Sequence, residues 1–400
     1  MPTMFRTKIF NPNVFEKYLR TLPSTKELSL IKNSLFTVVN KYKSKMSEQA
    51  GGYFVTEPIK GRIGGTPVNY DGNTDIPDGA ERDTFYQTKI CYGRAMSWGE
   101  YDFSSEITGE NFKAEAGEVK EYWDERRQET VLSILKGIFS MTGGVNGQFV
   151  TKHTYEVEPT TANPDGYLMP DSMNRASQKA LGDKKAKLDV MFTHSMVSTN
   201  LEGMNLIQFL KYTDASGVTR DLTIGTFNGR LVVVDDDMPV EEVEAEYELT
   251  SDVAIDSSKT YYTRTGSGTS QSPYVYTEVV TPDVDDIATY YEMTSEAYDT
   301  YTTYVFQRNF FEYEDLGVVT PVELVRDAKL KGGRTELISR IREMIVPYLI
   351  SYTATNKISP ENSDFENGSN WELVNNGQSG NKKVYVDDKL IPLARIISRG

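Results

Sequence analysis

The residues able to do chemistry are few and scattered. Asp235-Asp236-Asp237 ends a strand-like run, and clustered carboxylates at a strand end can bind Mg²⁺ or Ca²⁺. Met238-Pro239 follows at once, and no glycine-rich phosphate loop, histidine pair or lysine accompanies the cluster, so the expectation is a turn that closes a strand. Gly61-x-x-Gly64-Gly65 has the glycines of a phosphate loop but neither a following Gly-Lys-Ser/Thr nor a helix to cap. Glu118, Glu121, Asp124, Glu125 and Arg126 crowd one helical stretch, as a solvated face does. His153 and His194 are the only histidines, which narrows the choice of a general base. His153 lies in a proline-rich stretch and reads as exposed and incidental. Arg326 and Arg340, each with a glutamate partner, read as salt bridges at a sheet edge. No catalytic, cofactor-binding or metal-ligating set is assigned, and no enzymatic activity is expected.

Composition narrows the class further. Four hundred residues suffice for two or three compact units, and 38% apolar with 25% charged residues is ordinary for a soluble chain. No run approaches 18 apolar residues and the N-terminus lacks the apolar core of a signal peptide, so no membrane partner is expected. The single cysteine, Cys91, excludes an internal disulfide and suits a reducing compartment. The net charge of −15 is uneven: residues 1–46 hold nine Lys/Arg against Glu16 and Glu27, whereas residues 243–300 hold twelve Asp/Glu against Lys259 and Arg264. The basic arm and the acidic module suit mutual binding across subunits, or the arm faces a polyanion.

The elements that must position these residues follow from periodicity. Val14, Tyr18, Leu19 and Leu22 fall at helical spacing, Pro23 breaks the pattern, and Leu28–Val39 restarts it. Such an arm is too poor in apolar surface to fold alone. Tyr53–Lys60 and Asp83–Trp98 are strand-like around a Gly/Pro/Asn/Asp-rich stretch with Asp71-Gly72 and Asp78-Gly79 steps, which gives a long ribbon that needs a supporting surface. Asn111 is a candidate cap for a helix over 112–139, a rod of about 42 Å ended by Thr142-Gly143-Gly144. Residues 145–170 read as an irregular connection with one short strand.

From 174 to 239 the pattern is helix (Asn174–Ala180), buried strand (Lys187–Phe192), a second helix capped at Ser195 with Met196, Leu201, Met204 and Ile207 as its stripe, a turn at 214–217, and a strand over Gly229–Val234. The Tyr/Thr-rich series KTYYTRTG, PYVYTEVV and IATYYEMT suggests a small antiparallel β unit of three or four strands that interrupts one sheet, which 301–306 and 310–313 resume. Its tyrosines suit sugar or protein binding. Thr320–Arg342 reads as turn and helices, and Ile345–Tyr352 as a strand.

Several ordered motifs resemble one family. Leu181-Gly182-Asp183, Thr193-His194-Ser195 and Gly229-x-x-x-Val233-Val234-x-Asp236-Asp237-x-Pro239 are similar to the central domain of tailed-phage major capsid proteins of the HK97-like type. Trp98, Asp102, Gly109, Tyr122-Trp123 and Gln128 are similar to the family's passage from extended loop to spine helix. Pro321–Asp327, Glu336–Arg340, Asn370-Trp371, Val374 and Lys389–Ile396 continue the match, which covers about 53–242 and 301–398. Val346-Pro347-Tyr348-Leu349 departs from the family's His-Pro-x-Gly.

The resemblance implies an α+β HK97-like capsid fold: an N-terminal arm (1–52), an extended β-ribbon loop (53–98), a peripheral domain with the spine helix (99–173 and 346–400), an axial domain (174–242 and 301–345) and an inserted small β domain (243–300). It implies a major capsid protein that assembles into hexamers and pentamers of an icosahedral shell around packaged double-stranded DNA, with scaffold, portal and decoration proteins as further partners and the DNA met non-specifically. The protein would be assembled in the bacterial host cytoplasm and reside in the virion. Some members cross-link a loop lysine to a neighbour's asparagine; Lys60 and Lys89 qualify only by location, and no cross-link is assigned. The alternative is a carbohydrate- or receptor-binding virion protein acting through 243–300.

Overall fold

The computed structural model describes residues 36–46, 52–64, 66–76, 82–102, 116–213, 219–250, 254–256, 258–269 and 272–400. The expected arm helices before residue 36, the Asp78-Gly79 step, the Asn111 cap with the helix start at 112–115, and the 214–217 turn lie outside these residues.

An eight-stranded mixed sheet forms the centre of the body. Its order is Thr154–Glu156, Leu393–Ser398, Tyr298–Phe306, Val190–Thr193, Arg230–Val234, Thr219–Phe227 and Ile207–Thr213, with Val240–Val243 also paired to Tyr298–Phe306. The inner strands are buried on both faces, so alternate residues feed two cores. Val190, Phe192, Tyr304 and Phe306 pack with the spine helix, while Met191 and Val305 pack with the helices Pro170–Leu181 and Ser195–Gly203.

The spine helix is Ala116–Phe139, 24 residues and about 36 Å long. It buries Val131, Ile134, Leu135, Ile138 and Phe139, as the 3.6-residue period requires. Gly137 lets Phe365 and Trp371 approach the helix backbone: a Cβ there would overlap the Phe365 carbonyl, which already accepts a 2.7 Å bond from Trp371 Nε1.

A second sheet braces this helix. Its central strand is Arg334–Pro347, flanked on one edge by Val322–Asp327 and Phe311–Asp315 and on the other by Tyr92–Tyr101. Phe36–Val38 adds a short parallel strand beside Phe311–Asp315. Trp123 Nε1 donates to Ser339 Oγ at 2.9 Å, and Arg127 Nε reaches Glu343 Oε2 at 2.7 Å. Residues 246–295 form a separate four-stranded sheet in the order Glu246–Leu249, Tyr291–Ser295, Tyr261–Thr265, Val275–Glu278, around buried Tyr261, Ile287 and Tyr290. The chain enters and leaves it through the antiparallel pair Val240–Val243 and Tyr298–Tyr301.

Several local expectations are corrected. Glu336–Arg340 is a strand, not a helix, because its cross-strand partners Met96–Gly99 and Val322–Val325 claim the backbone on both sides. Phe311–Asp315 joins the second sheet and not the eight-stranded one. Phe36–Val38, expected to be helical, is extended. Gly144–His153 is a helix within the supposed irregular stretch. The helix Ser195–Gly203 is capped by His194, whose Nδ1 accepts from the Met196 amide at 3.1 Å, and Ile207 belongs to the following strand. The strand over 345–352 is broken by a tight turn in which Leu349 adopts φ 58°, a left-handed conformation that usually favours glycine. Among the described residues, no helix is long and apolar enough to cross a membrane.

Candidate assembly surfaces

The ribbon pairs Phe54–Lys60 with Thr84–Ile90, in register from Phe54 opposite Ile90 to Lys60 opposite Thr84. Ile59 and Phe85 still pack against the main core, and the described tip beyond them is exposed. Ile63, Tyr70 and Ile76 of the described tip are 84%, 90% and 76% exposed, apolar side chains that a monomer has no reason to present together. Asp71 shapes the tip by accepting the amides of Asn73 (2.9 Å) and Thr74 (2.8 Å), with Gly72 at φ 79°. The base, in contrast, is fixed. Gln87 Nε2 donates to the carbonyls of Pro347 and Ile350, both at 3.0 Å, and the Tyr86 amide donates to Asn375 O at 2.8 Å.

A buried ionic centre closes the base. Lys89 Nζ lies 2.6 Å from Glu312 Oε2, 2.9 Å from Glu57 Oε2 and 3.1 Å from the Tyr42 hydroxyl, so all three ammonium donors have acceptors. Tyr42 in turn donates to Glu57 Oε2 at 2.5 Å. Behind it, the fully buried Glu314 carboxylate accepts the amides of Lys41, Tyr42 and Lys43. Burial pushes the Glu57 carboxyl up, but the bonds from Tyr42 and Lys89 outweigh it and hold the group at about 2. Its folded value is thus depressed below the ordinary glutamate value of about 4.3, so its stabilisation is present above that pH and is lost as pH falls toward 2. Hydrogen exchange over 54–60, followed from pH 5 to pH 2, is expected to lose protection across this window. A profile flat with respect to the intrinsic rate would contradict the network. Lys89 is not free for a cross-link in this arrangement, whereas Lys60 is exposed at the end of its strand.

A third surface is the edge strand Val322–Asp327, exposed along its whole length, with Val322 54% and Leu324 65% exposed. An edge with open backbone groups and apolar side chains invites a covering partner. Arg340 does pair with Glu323, at 3.1 Å, while Arg326 grips Asp102 with both terminal nitrogens (3.2 and 2.6 Å) instead of a glutamate. These exposed pairs contribute about 0–1 kcal/mol each.

The other residues singled out by chemistry do not converge. Asp235 is buried, accepts from Gln128 of the spine helix and caps its own turn through the Asp237 amide at 2.9 Å, while the Asp236 side chain is 76% exposed beside His194. Among the described residues, no group of three His, Cys, Asp or Glu is placed to hold a metal ion. His153 is buried, not exposed: its Nδ1 lies 2.5 Å from Leu393 O, its ring packs on Phe149, and burial lowers its pKa. The Lys89 and Glu343 centres were missed because their partners lie far apart in sequence. The only local signals were charges set among apolar neighbours, as in Glu343-Met344-Ile345-Val346.

A ribbon, a braced spine helix and a central sheet with an outlying β unit define the HK97-like capsid fold. The cyanophage Pam1 capsid shares it at a TM-score of 0.50 and 8% identity, over 100% of this chain and 98% of that one. The major capsid protein of Bacillus phage SPP1 is 22% identical over 380 residues, 91% of each chain. No family model matches the sequence. The fold, and a likeness that runs over 91% of both chains, make this chain similar to tailed-phage major capsid proteins of the HK97-like type.

Proposed function

We propose that the chain builds the icosahedral head of a tailed phage as hexamers and pentamers enclosing packaged double-stranded DNA. The observation that carries this most directly is the ribbon: a rigidly anchored base with an apolar tip that has no core of its own. A closed symmetric array supplies each such surface with a neighbour. The ribbon then lies over an adjacent spine domain, the edge strand Val322–Asp327 meets another subunit, and the basic arm reaches beneath one. The role is structural and not enzymatic.

The proposed domain division keeps the arm (1–52), the ribbon (53–98) and an inserted unit at 243–300. It assigns 311–347 to the peripheral part, because those strands pair with Tyr92–Tyr101 and brace the spine helix, and the C-terminal strand Leu393–Ser398 to the central sheet. Scaffold, portal and decoration proteins, non-specific contact with DNA, and assembly in the host cytoplasm belong to the same proposal. Light scattering with negative-stain microscopy of the purified chain tests it. Rings, shells or tubes are expected, and a small oligomer that persists at every salt concentration, with and without a co-expressed scaffold, would overturn it.

A further inference from the structure

We propose that Lys89 is a positioning residue that couples the docking of segment 36–46 to the set of the ribbon, so that the two open or hold together. Its three acceptors come from three separate parts: Tyr42 from the described end of the arm, Glu57 from the outgoing ribbon strand, and Glu312 from the second sheet. Lys89 itself belongs to the returning strand, and its side chain is 1% exposed. One oxygen, Glu57 Oε2, accepts from both Tyr42 and Lys89, so neither contact can leave without altering the other.

The two parts also share apolar packing, since Val39, Tyr42 and Met46 lie in one cluster with Tyr53 and Val55, and Lys89 adds the buried polar link between them. Among polar and backbone contacts, segment 36–46 is also held by the strand pairing of Phe36–Val38 and by Glu314, and the outgoing ribbon strand by its pairing with Thr84–Ile90. The further link, Lys41 to Glu57 at 3.4 Å, is exposed and weak. Removing the ammonium leaves two carboxylates within one side chain's reach of each other, which drives them apart and with them the elements that carry them. The coupling is a property of the single chain. Its consequence for assembly rests on the shell-forming role proposed above: a neighbour that captures the arm would also set the ribbon for its own contact, making subunit addition cooperative.

Hydrogen exchange on the unassembled full-length chain tests the coupling, while microscopy of the same variants reports on the shell role separately. Tyr42→Phe, which changes no ribbon residue, is expected to raise exchange over 54–60 several-fold, and Glu57→Gln to raise it over 36–46. Lys89→Met should raise both at least tenfold and leave Val190–Thr193 and Tyr298–Phe306 unchanged. Combined with Glu57→Gln, Lys89→Met should add less than the sum of the two. If Tyr42→Phe loosens only 36–46 and Glu57→Gln only 54–60, the parts are independent and the proposal fails. Should Lys89→Met not fold, the two conservative variants decide alone.

Discussion

Arg127→Met is expected to destabilise the folded chain by about 3–5 kcal/mol. Arg127 reaches from the spine helix to Glu343, whose side chain is 2% exposed, and the same carboxylate accepts from the hydroxyls of Tyr92 (2.8 Å) and Tyr313 (3.0 Å). Burial of Arg127 works against its charge, but the field of Glu343 outweighs this and holds the guanidinium more firmly protonated than usual. The methionine variant strands a buried carboxylate with two phenols and no counter-charge, the costly way to break a pair. Replacing both members, as Arg127→Met with Glu343→Met, removes the stranded charge and should recover part of the loss. Recovery stays incomplete because Tyr92 and Tyr313 lose their acceptor. Equilibrium denaturation of the single and double variants measures the difference. A double variant no more stable than Arg127→Met would show that the helix is held to the sheet by packing and not by this ionic centre.

The parts of the fold legible in the sequence are those whose signal is local. The spine helix announced itself through Val131, Leu135 and Ile138 at helical spacing, and the ribbon through alternation at Tyr86, Thr88, Ile90 and Tyr92 with a turn-rich tip. Arg334–Pro347 misled because charges at Glu336 and Arg340 mimic helical pairing. In the sheet those residues face away from the spine helix, with Leu337 and Ser339 turned toward it, and the period of two is blurred by apolar Ile338 on the open face. Gly144–His153 carries two glycines and poor helix formers, so propensity argued against it. Burial of Phe149 and the His153 contact with Leu393 O stabilise it instead, and both depend on strands more than 200 residues away.

The functional surfaces divide in the same way. Exposed apolar residues on a Gly/Asn/Asp-rich tip could be anticipated, since such a stretch offers no core for Ile63, Tyr70 or Ile76 to join. The Lys89 centre could not, because Tyr42, Glu57, Lys89 and Glu312 meet only after the second sheet has formed. Charged residues at Asp235–Asp237 drew attention by clustering in sequence, yet the turn sends Asp235 inward to Gln128 and Asp236 outward. Adjacency along the chain is thus a poor guide to convergence at a strand end, where successive side chains point apart.

Deleting residues 61–80 is expected to leave the fold intact while raising the subunit concentration needed for assembly at least a hundredfold. The deletion leaves Glu81-Arg82-Asp83 between Lys60 and Thr84, which already face each other in the ribbon register, so a three-residue hairpin loop closes the strands. The shorter loop also has less closure entropy to overcome. The anchoring contacts of the base described above, from Tyr86 to Lys89, lie outside the deleted segment. Stability should therefore change by less than about 1 kcal/mol. What is lost is the apolar tip: fully burying a side chain such as Ile63 or Ile76 contributes roughly 1.5–3 kcal/mol, and 1.4 kcal/mol is about a factor of ten in association. Two such residues per ribbon already exceed the predicted hundredfold. Denaturation midpoints paired with light scattering across a concentration series separate the two effects. An insoluble or unfolded product would mean that the tip helps the chain fold, and shells forming at the parental concentration would mean that the ribbon is not what joins the subunits.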